Sequence, residues 1–246
     1  MCFMHKKYQV LFVVWFFIFP ALSFAGDVSN FVLLGFSSDG HYMAFAQYGF
    51  DANKGQAYSS INTVDIKKNS FVPGTSLQKQ LQMAAQNLPA FGDGVFYWLL
   101  EDNAKYRKQY GIDYLNRGRL LYMTSALSNM ATAESFVLPK TESPIEFRDF
   151  QTKKNYQIIL SQKATGQGST MTSHMSAQLT ISDGDQKKSY TLGNATFERK
   201  GVLGYMIDKM IVTPDNKSIV VVIARQEYGE DKTIRVRYMV ETLSLS

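Results

Sequence analysis

One turn is written twice in this chain. Residues 35–49 read GFSSDGHYMAFAQYG and residues 212–224 read VTPDNKSIVVVIA. Laid over each other they share one pattern: apolar, Ser or Thr, Ser or Pro, Asp, Gly or Asn, polar, then an apolar run. Asp39-Gly40 and Asp215-Asn216 fall at the two tips. The residue types suit a tight hairpin. An aspartate side chain can accept backbone N–H bonds inside the turn, and the next residue can enter the left-handed region. The continuation agrees as well, Gln47-Tyr48-Gly49 being answered by Gln226-Glu227-Tyr228-Gly229 with one residue inserted. A chain with such a hairpin near each end is committed to antiparallel β structure.

The stretches around the first turn extend that expectation. FVLLGF fits a buried strand, and YMAFAQY alternates, with Tyr42, Ala44, Ala46 and Tyr48 on one face. FDANKGQ is a loop, YSSINTVDI a third strand, and Lys68-Asn69 turns the chain into SFV. Residues 31–72 therefore read as a four-stranded meander. Beyond Pro73-Gly74 the period changes. Leu77, Leu81, Ala84, Ala85 and Leu88 stand at helical spacing, behind Thr75 or Ser76 as a cap. VFYWLLEDNAKYRKQY predicts a second helix, ended by Gly111. A helical pair around 76–111 is thus expected, as an insertion spanning 75–112. After Arg117 short strands resume, and three more hairpin-forming stretches carry the chain to its end. Eleven or twelve strands and two helices make a mainly-β fold of antiparallel four-stranded meanders.

The Asp-centred hairpin resembles that of β-propeller blades in Tol-type and WD40-like repeats, where each blade is a four-stranded meander. The resemblance implies blades over 31–72, 155–193 and 206–244, with an incomplete fourth from 118–150. A β-sandwich would carry the same hairpins, so a propeller-like and a sandwich arrangement both stand. The order of GFSSDGHYMAFAQYG, FVPG, KYRKQYGI and GYMIDKMIVTPDNKSIVVVIA also resembles the bacterial predicted secreted protein family called domain of unknown function 2259, along nearly all of the chain after residue 25. The chain departs from that pattern at Asn216, where glycine is usual, and in a helical stretch rich in glutamine and aromatics. The resemblance implies secretion and brings no activity or catalytic residue.

Residues 1–25 carry the three parts of a signal peptide: Lys6-Lys7, an apolar run from Val10 to Phe19, and small residues Ser23 and Ala25 before the cut. The run is shorter than the roughly 20 residues of a membrane-spanning helix. Cleavage after Ala25 leaves 26–246 as a single secreted mainly-β domain, periplasmic or extracellular, with no membrane span. Cys2 is the one cysteine in the chain and precedes the run, so residues 26–246 hold no disulfide, thiol nucleophile or thiolate metal site. Loss of Lys6 and Lys7 lowers the formal charge from +5 to +3. The lysine pairs at 67–68, 153–154 and 187–188 are scattered, so nucleic acid is not an expected partner.

Catalytic signatures are sparse. His41 and His174 are the histidines after residue 25, with no H-E-x-x-H and no G-x-S-x-G near them. Asp51-Ala52-Asn53-Lys54-Gly55 begins like a calcium loop, but Gln56 and Asn62 stand where an EF-hand needs glycine and glutamate. No metal or cofactor is expected. Binding candidates are Tyr48, Asp51, Asn53 and Tyr228, near loop ends, while Asp39, Gly40, Asp215 and Asn216 are structural turn residues. These features favour a non-enzymatic extracytoplasmic binding or interaction module whose partner is an envelope protein or a glycan. Two alternatives remain: a hydrolase that assembles His174, a serine and a carboxylate only in three dimensions, and a small-ligand or ion binder at a propeller mouth.

Overall fold

In SIVVVIA, residues 218–224, every side chain is buried. A strand with one face in water would alternate; an unbroken apolar run requires cover on both faces. The computed structural model describes residues 27–82, 92–124, 143–229 and 234–245, and it supplies that cover.

The N-terminal part holds β1 (Asp27–Val28), β2 (Asn30–Ser37), β3 (Tyr42–Asp51), β4 (Gln56–Asp65), β5 (Ser70–Phe71) and β6 (Leu77–Gln82). Helix α1 (Gly92–Gln109) follows, then β7 (Ile112–Asp113), β8 (Arg119–Met123) and β9 (Ile145–Arg148). The C-terminal part holds β10 (Asn155–Thr165), β11 (Thr172–Asp183), β12 (Gln186–Lys200), β13 (Val202–Val212), β14 (Ser218–Tyr228) and β15 (Ile234–Ser244). The described strands form three sheets. The first runs β5-β4-β3-β2-β7, with β6 also on β4; the central one runs β1-β15-β14-β13-β8; the third runs β12-β11-β10-β9. All pairings are antiparallel except β1 on β15. The fold is mainly β, and β2 to β5 form the meander expected over 31–72.

The period of two sorts the core. From β14, Ile219, Val221 and Ile223 pack with Ile158, Met175 and Leu179 of the third sheet. Val220, Val222 and Ala224, between them in sequence, pack with Phe36, Met43, Phe45 and Val64 of the first. On β3, Ala44 and Ala46 face outward, where Phe96 and Leu99 of α1 cover them. The layers are therefore α1, first sheet, central sheet, third sheet. The C-terminal meander occupies the middle.

Two expectations need correction. Leu77–Gln82 is a strand, so among the described residues one helix stands where a pair was expected. Leu77 and Leu81 satisfy both periods at once, being four apart on a helix and on one face of a strand. The open edge of β4 decides between them, pairing Ile61 with Leu77 through to Gln56 with Gln82. The remainder of that expected helix, the signal segment and the short SFVLP strand lie outside the described residues. The expected incomplete fourth unit is also replaced: β8 extends the central sheet beside β13 and β9 extends the third beside β10. The second helix is present. Its buried Val95, Phe96, Leu99 and Asn103 share one face, Arg107 and Lys108 sit at its negative end, and Gly111 follows at φ +62°.

The two turns have one hydrogen-bond plan. In the first, the Ser37 hydroxyl donates to Asp39 Oδ1 (2.6 Å) and accepts from the Tyr42 N–H (2.9 Å), while the His41 N–H donates to Asp39 (3.0 Å). In the second, Thr213 donates to Asp215 Oδ1 (2.6 Å) and accepts from Ser218 (3.0 Å), while the Lys217 N–H donates to Asp215 (3.1 Å). Even the return strands close alike, Ile66 N–H on His41 O and Leu245 N–H on Lys217 O. Gly40 and Asn216 both have positive φ, +68° and +59°. The turns also touch: a β-carbon on Gly40 would lie 2.6 Å from Asp215 Oδ1.

Two glutamines fasten the layers. Gln47 of β3 presents its amide to the peptide of Tyr238, accepting from its N–H (2.9 Å) and donating to its carbonyl (3.5 Å). Gln162 of β10 does the same for Tyr205 of β13 (2.8 and 3.1 Å). A primary amide reproduces the donor–acceptor pair of a missing strand, which satisfies backbone groups that the ladder leaves open.

Candidate binding groove

On β4, Gln56, Tyr58, Ser60, Asn62 and Val64 point to one face, the face that carries Val64 into the core against the central sheet. The register adds Gln47 opposite Ser60 and Gln78, Gln80 and Gln82 from β6. This face is apolar near the hairpin turn and amide-rich toward the other end. There it runs past the outer edge of β15, and a groove opens.

The groove has two lobes, of about 300 Å³ and about 480 Å³. Gln47, Ser60, Gln78 and Arg225 line both, so the lobes adjoin. The first lobe adds Asp51, Tyr58, Glu227, Arg235 and Arg237. The second adds Asn62, Phe71, Phe197, Arg199 and Met239. Phe71 and Phe197 are 51% and 56% exposed, large aromatic surfaces at the rim. Phe197 reaches this position through an irregularity in β12: Ser173 pairs with Arg199 and Met175 with Asn194, so residues 195–198 loop out opposite His174. Asn194 caps that excursion by accepting from the Thr196 N–H (2.8 Å) and hydroxyl (2.7 Å).

The charges come from β14 and β15, whose ladder sets Arg225 opposite Arg237 and Glu227 opposite Arg235. Every arginine has a carboxylate: Arg225 with Glu227 (2.6 Å), Arg235 with Asp51 (3.1 Å), Arg237 with Asp27 (2.5 Å) and Arg199 with Glu241 (3.6 Å). Arg237 also lies 4.3 Å over the Tyr58 ring. The Tyr58 hydroxyl donates to Asp27 (2.6 Å) and meets Ser29 (2.8 Å). Burial raises the Tyr58 pKa, Arg237 pulls it down and Asp27 raises it further; the outcome is well above the ordinary value. Burial works against the Arg237 cation, yet Tyr58 and Asp27 hold its pKa up. Lys54 and Lys79 also line the first lobe, Lys79 paired with Asp102 at 3.6 Å. The groove is polar and rigidly cross-linked, and its six cations outnumber the carboxylates Asp27, Asp51, Asp102, Glu227 and Glu241 by one.

Of the four residues singled out from sequence, only Asp51 lines the groove. It also accepts the Lys54 N–H (3.1 Å) in the β3–β4 turn, where Asn53 is exposed. Tyr48 lies on the opposite face of β3, stacked 4.8 Å from Phe96 of α1, with its pKa raised first by burial and then by Asp93. Tyr228 sits toward the third sheet, its N–H on Gly201 O (2.7 Å). The two tyrosines recur in sequence and do not converge in space. His174 pairs across from Lys163 on β10; its Nδ1 is buried without a hydrogen-bond partner among the described residues, and it lines neither lobe. Among the described residues, no three His, Cys, Asp or Glu side chains are grouped to hold a metal ion. The residues missed from sequence are Gln47, Tyr58, Arg225, Arg235, Arg237, Phe71 and Phe197. Arg225-x-Glu227 and Arg235-x-Arg237 were the available signal, since charges at every second residue of a strand mark one face.

The layered sheets and the groove define a mainly-β protein with an open polar cleft at a sheet edge. No helix among the described residues is long and apolar enough to cross a membrane. The chain belongs to the family described as predicted secreted protein, domain of unknown function 2259, whose model matches residues 44–244. It is accordingly a secreted protein. No curated protein matches it.

Proposed function

We propose that the protein is a non-enzymatic extracytoplasmic binding module, exported by residues 1–25 as a cleaved signal peptide, and that its ligand lies in the groove beside β15. One observation carries this: polar side chains from three sheets are already locked to each other around a cleft whose rim exposes two aromatic rings. Such preorganisation lowers the entropy lost on binding, and a cleft with a few fixed polar groups is the usual form of a ligand site. Catalysis fits less well. Asp51 and Glu227 are each held in an ion pair with an arginine, Arg235 and Arg225, which leaves neither carboxylate free to act on a ligand. His174 has no serine or carboxylate bonded to it among the described residues and lies outside the groove.

The test is a thermal-shift screen of residues 26–246 against four probe sets: neutral oligosaccharides, acidic oligosaccharides, phosphatidylglycerol vesicles and extended peptides. The expected result is a probe that raises Tm, loses that effect with Phe71→Ala/Phe197→Ala, and is recovered chemically unchanged. A probe whose effect survives the double substitution, a probe converted to product, or no response in any set overturns the proposal.

A further inference from the structure

We infer that the ligand is a neutral oligosaccharide chain, bound lengthwise along the groove. This inference rests on the groove being the binding site. The argument is one of matching groups. The walls carry both donors and acceptors: the amides of Gln78 and Asn62, the hydroxyl of Ser60, and the Arg225–Glu227 pair, whose guanidinium and carboxylate hold each other in direction. A sugar hydroxyl both donates and accepts, so neighbouring hydroxyls satisfy such a surface. Phe71 and Phe197 supply the complementary apolar element. The negative face of an aromatic ring attracts the C–H groups on the flat side of a pyranose.

The same inventory argues against other ligands. An acyl chain would strip water from amides and ion pairs and return no hydrogen bonds. A polyanion needs a large cationic excess, whereas each groove arginine has a carboxylate within 3.6 Å and Lys79 has Asp102 at 3.6 Å, so that with Lys54 the excess is a single positive charge. An added peptide strand needs an open backbone edge. That edge is occupied on β15, at Tyr238 by Gln47 and at Thr242 by Asn69, whose Oδ1 accepts the Thr242 N–H at 2.8 Å. The β4 side of the groove from Gln56 to Val64 spans roughly 26 Å at about 3.3 Å per residue, room for several sugar units.

Native gels cast with dextran, mannan, galactan or polygalacturonate test this, alongside flotation on phosphatidylglycerol vesicles. At least one neutral polysaccharide should retard the protein, still do so in ~1 M NaCl, where exposed ion pairing is screened, and be weakened at least about tenfold by Phe71→Ala/Phe197→Ala or by Gln78→Ala. Competition by the free oligosaccharide separates a soluble ligand from a purely polymeric one. Both agree with the inference. Binding confined to polygalacturonate or vesicles, abolished by salt and by the groove substitutions, overturns the sugar assignment and leaves the groove standing. Polysaccharide binding indifferent to the groove substitutions overturns the site itself. No retardation by any neutral polysaccharide overturns the inference, while the thermal-shift screen judges the groove separately.

Discussion

Contact between the two turns makes a quantitative prediction. Gly40 has φ +68°, and a methyl added there would stand 2.6 Å from Asp215 Oδ1. Holding alanine in the left-handed region costs about 1–2 kcal/mol. The clash adds to this, because Asp215 cannot simply rotate away. It accepts from the Thr213 hydroxyl at 2.6 Å and the Lys217 N–H at 3.1 Å. Displacing a charged acceptor from its donors costs about 1.5 kcal/mol at the low end of such bonds. Gly40→Ala should then destabilise by ~3 kcal/mol, a fall in Tm of about 9 °C for a chain of this size. Asp215→Ala alone should cost ~1.5 kcal/mol for the lost cap.

The double substitution separates these terms. Without the Asp215 carboxylate, the Gly40 methyl meets no clash, and only the backbone cost remains. Gly40→Ala/Asp215→Ala should therefore cost ~3 kcal/mol where simple addition gives ~4.5, a coupling of about 1.5 kcal/mol between residues 175 apart in sequence. Urea denaturation of the four proteins, followed by fluorescence, measures it. Strict additivity would refute the contact between turns. A cost for Gly40→Ala below about 1 kcal/mol would refute the strained backbone as well.

Two further outcomes follow from the same geometry. Gln47→Ala and Gln162→Ala should each cost ~2 kcal/mol by leaving a strand peptide without partners; amide exchange should quicken at Tyr238 in the first and at Tyr205 in the second, with no such site-specific change if the amides are incidental. For Asp149, burial pushes the pKa up, but the Thr152 and Arg119 hydrogen bonds, the Gln151 N–H and the Arg119 charge outweigh it and hold the pKa at about 2. The folded value lies below the unfolded one, near 3.9, so this group's stabilisation is complete above pH ~4 and is lost as pH falls toward 2. That amounts to ~2 kcal/mol, which Asp149→Asn should remove at pH 7 while flattening the urea midpoint between pH 4 and 2; an unchanged acid slope would refute it.

The parts of the fold visible in the sequence are those governed by neighbours in the chain. Ser37-x-Asp39-Gly40 and Thr213-x-Asp215-Asn216 bond within five residues of themselves, so the turn chemistry alone locates both hairpins and the meander built on the first. Leu77–Gln82 escaped because its local pattern fits two periods, and the deciding partner, the edge of β4, lies some 20 residues away. The stacking order was hidden for a related reason. The unbroken run Ile219–Ala224 says that both faces are covered, but not by what.

The groove was less legible still. Each of its strands, taken singly, looks like a sheet face turned to solvent: Gln78-x-Gln80-x-Gln82, Arg225-x-Glu227, Arg235-x-Arg237. Solvated faces and binding faces have the same composition, and only apposition tells them apart. That apposition depends on Gln47 reaching the Tyr238 peptide from another sheet, and on the loop at 195–198 carrying Phe197 to the rim. Neither is a property of its own segment. Asp51 was reachable because a turn and a groove wall happen to share one residue. Tyr48 and Tyr228 show the opposite case: recurrence after equivalent strands marks a repeated structural position, and the layers then send the two rings to different faces, one under α1 and the other toward the third sheet.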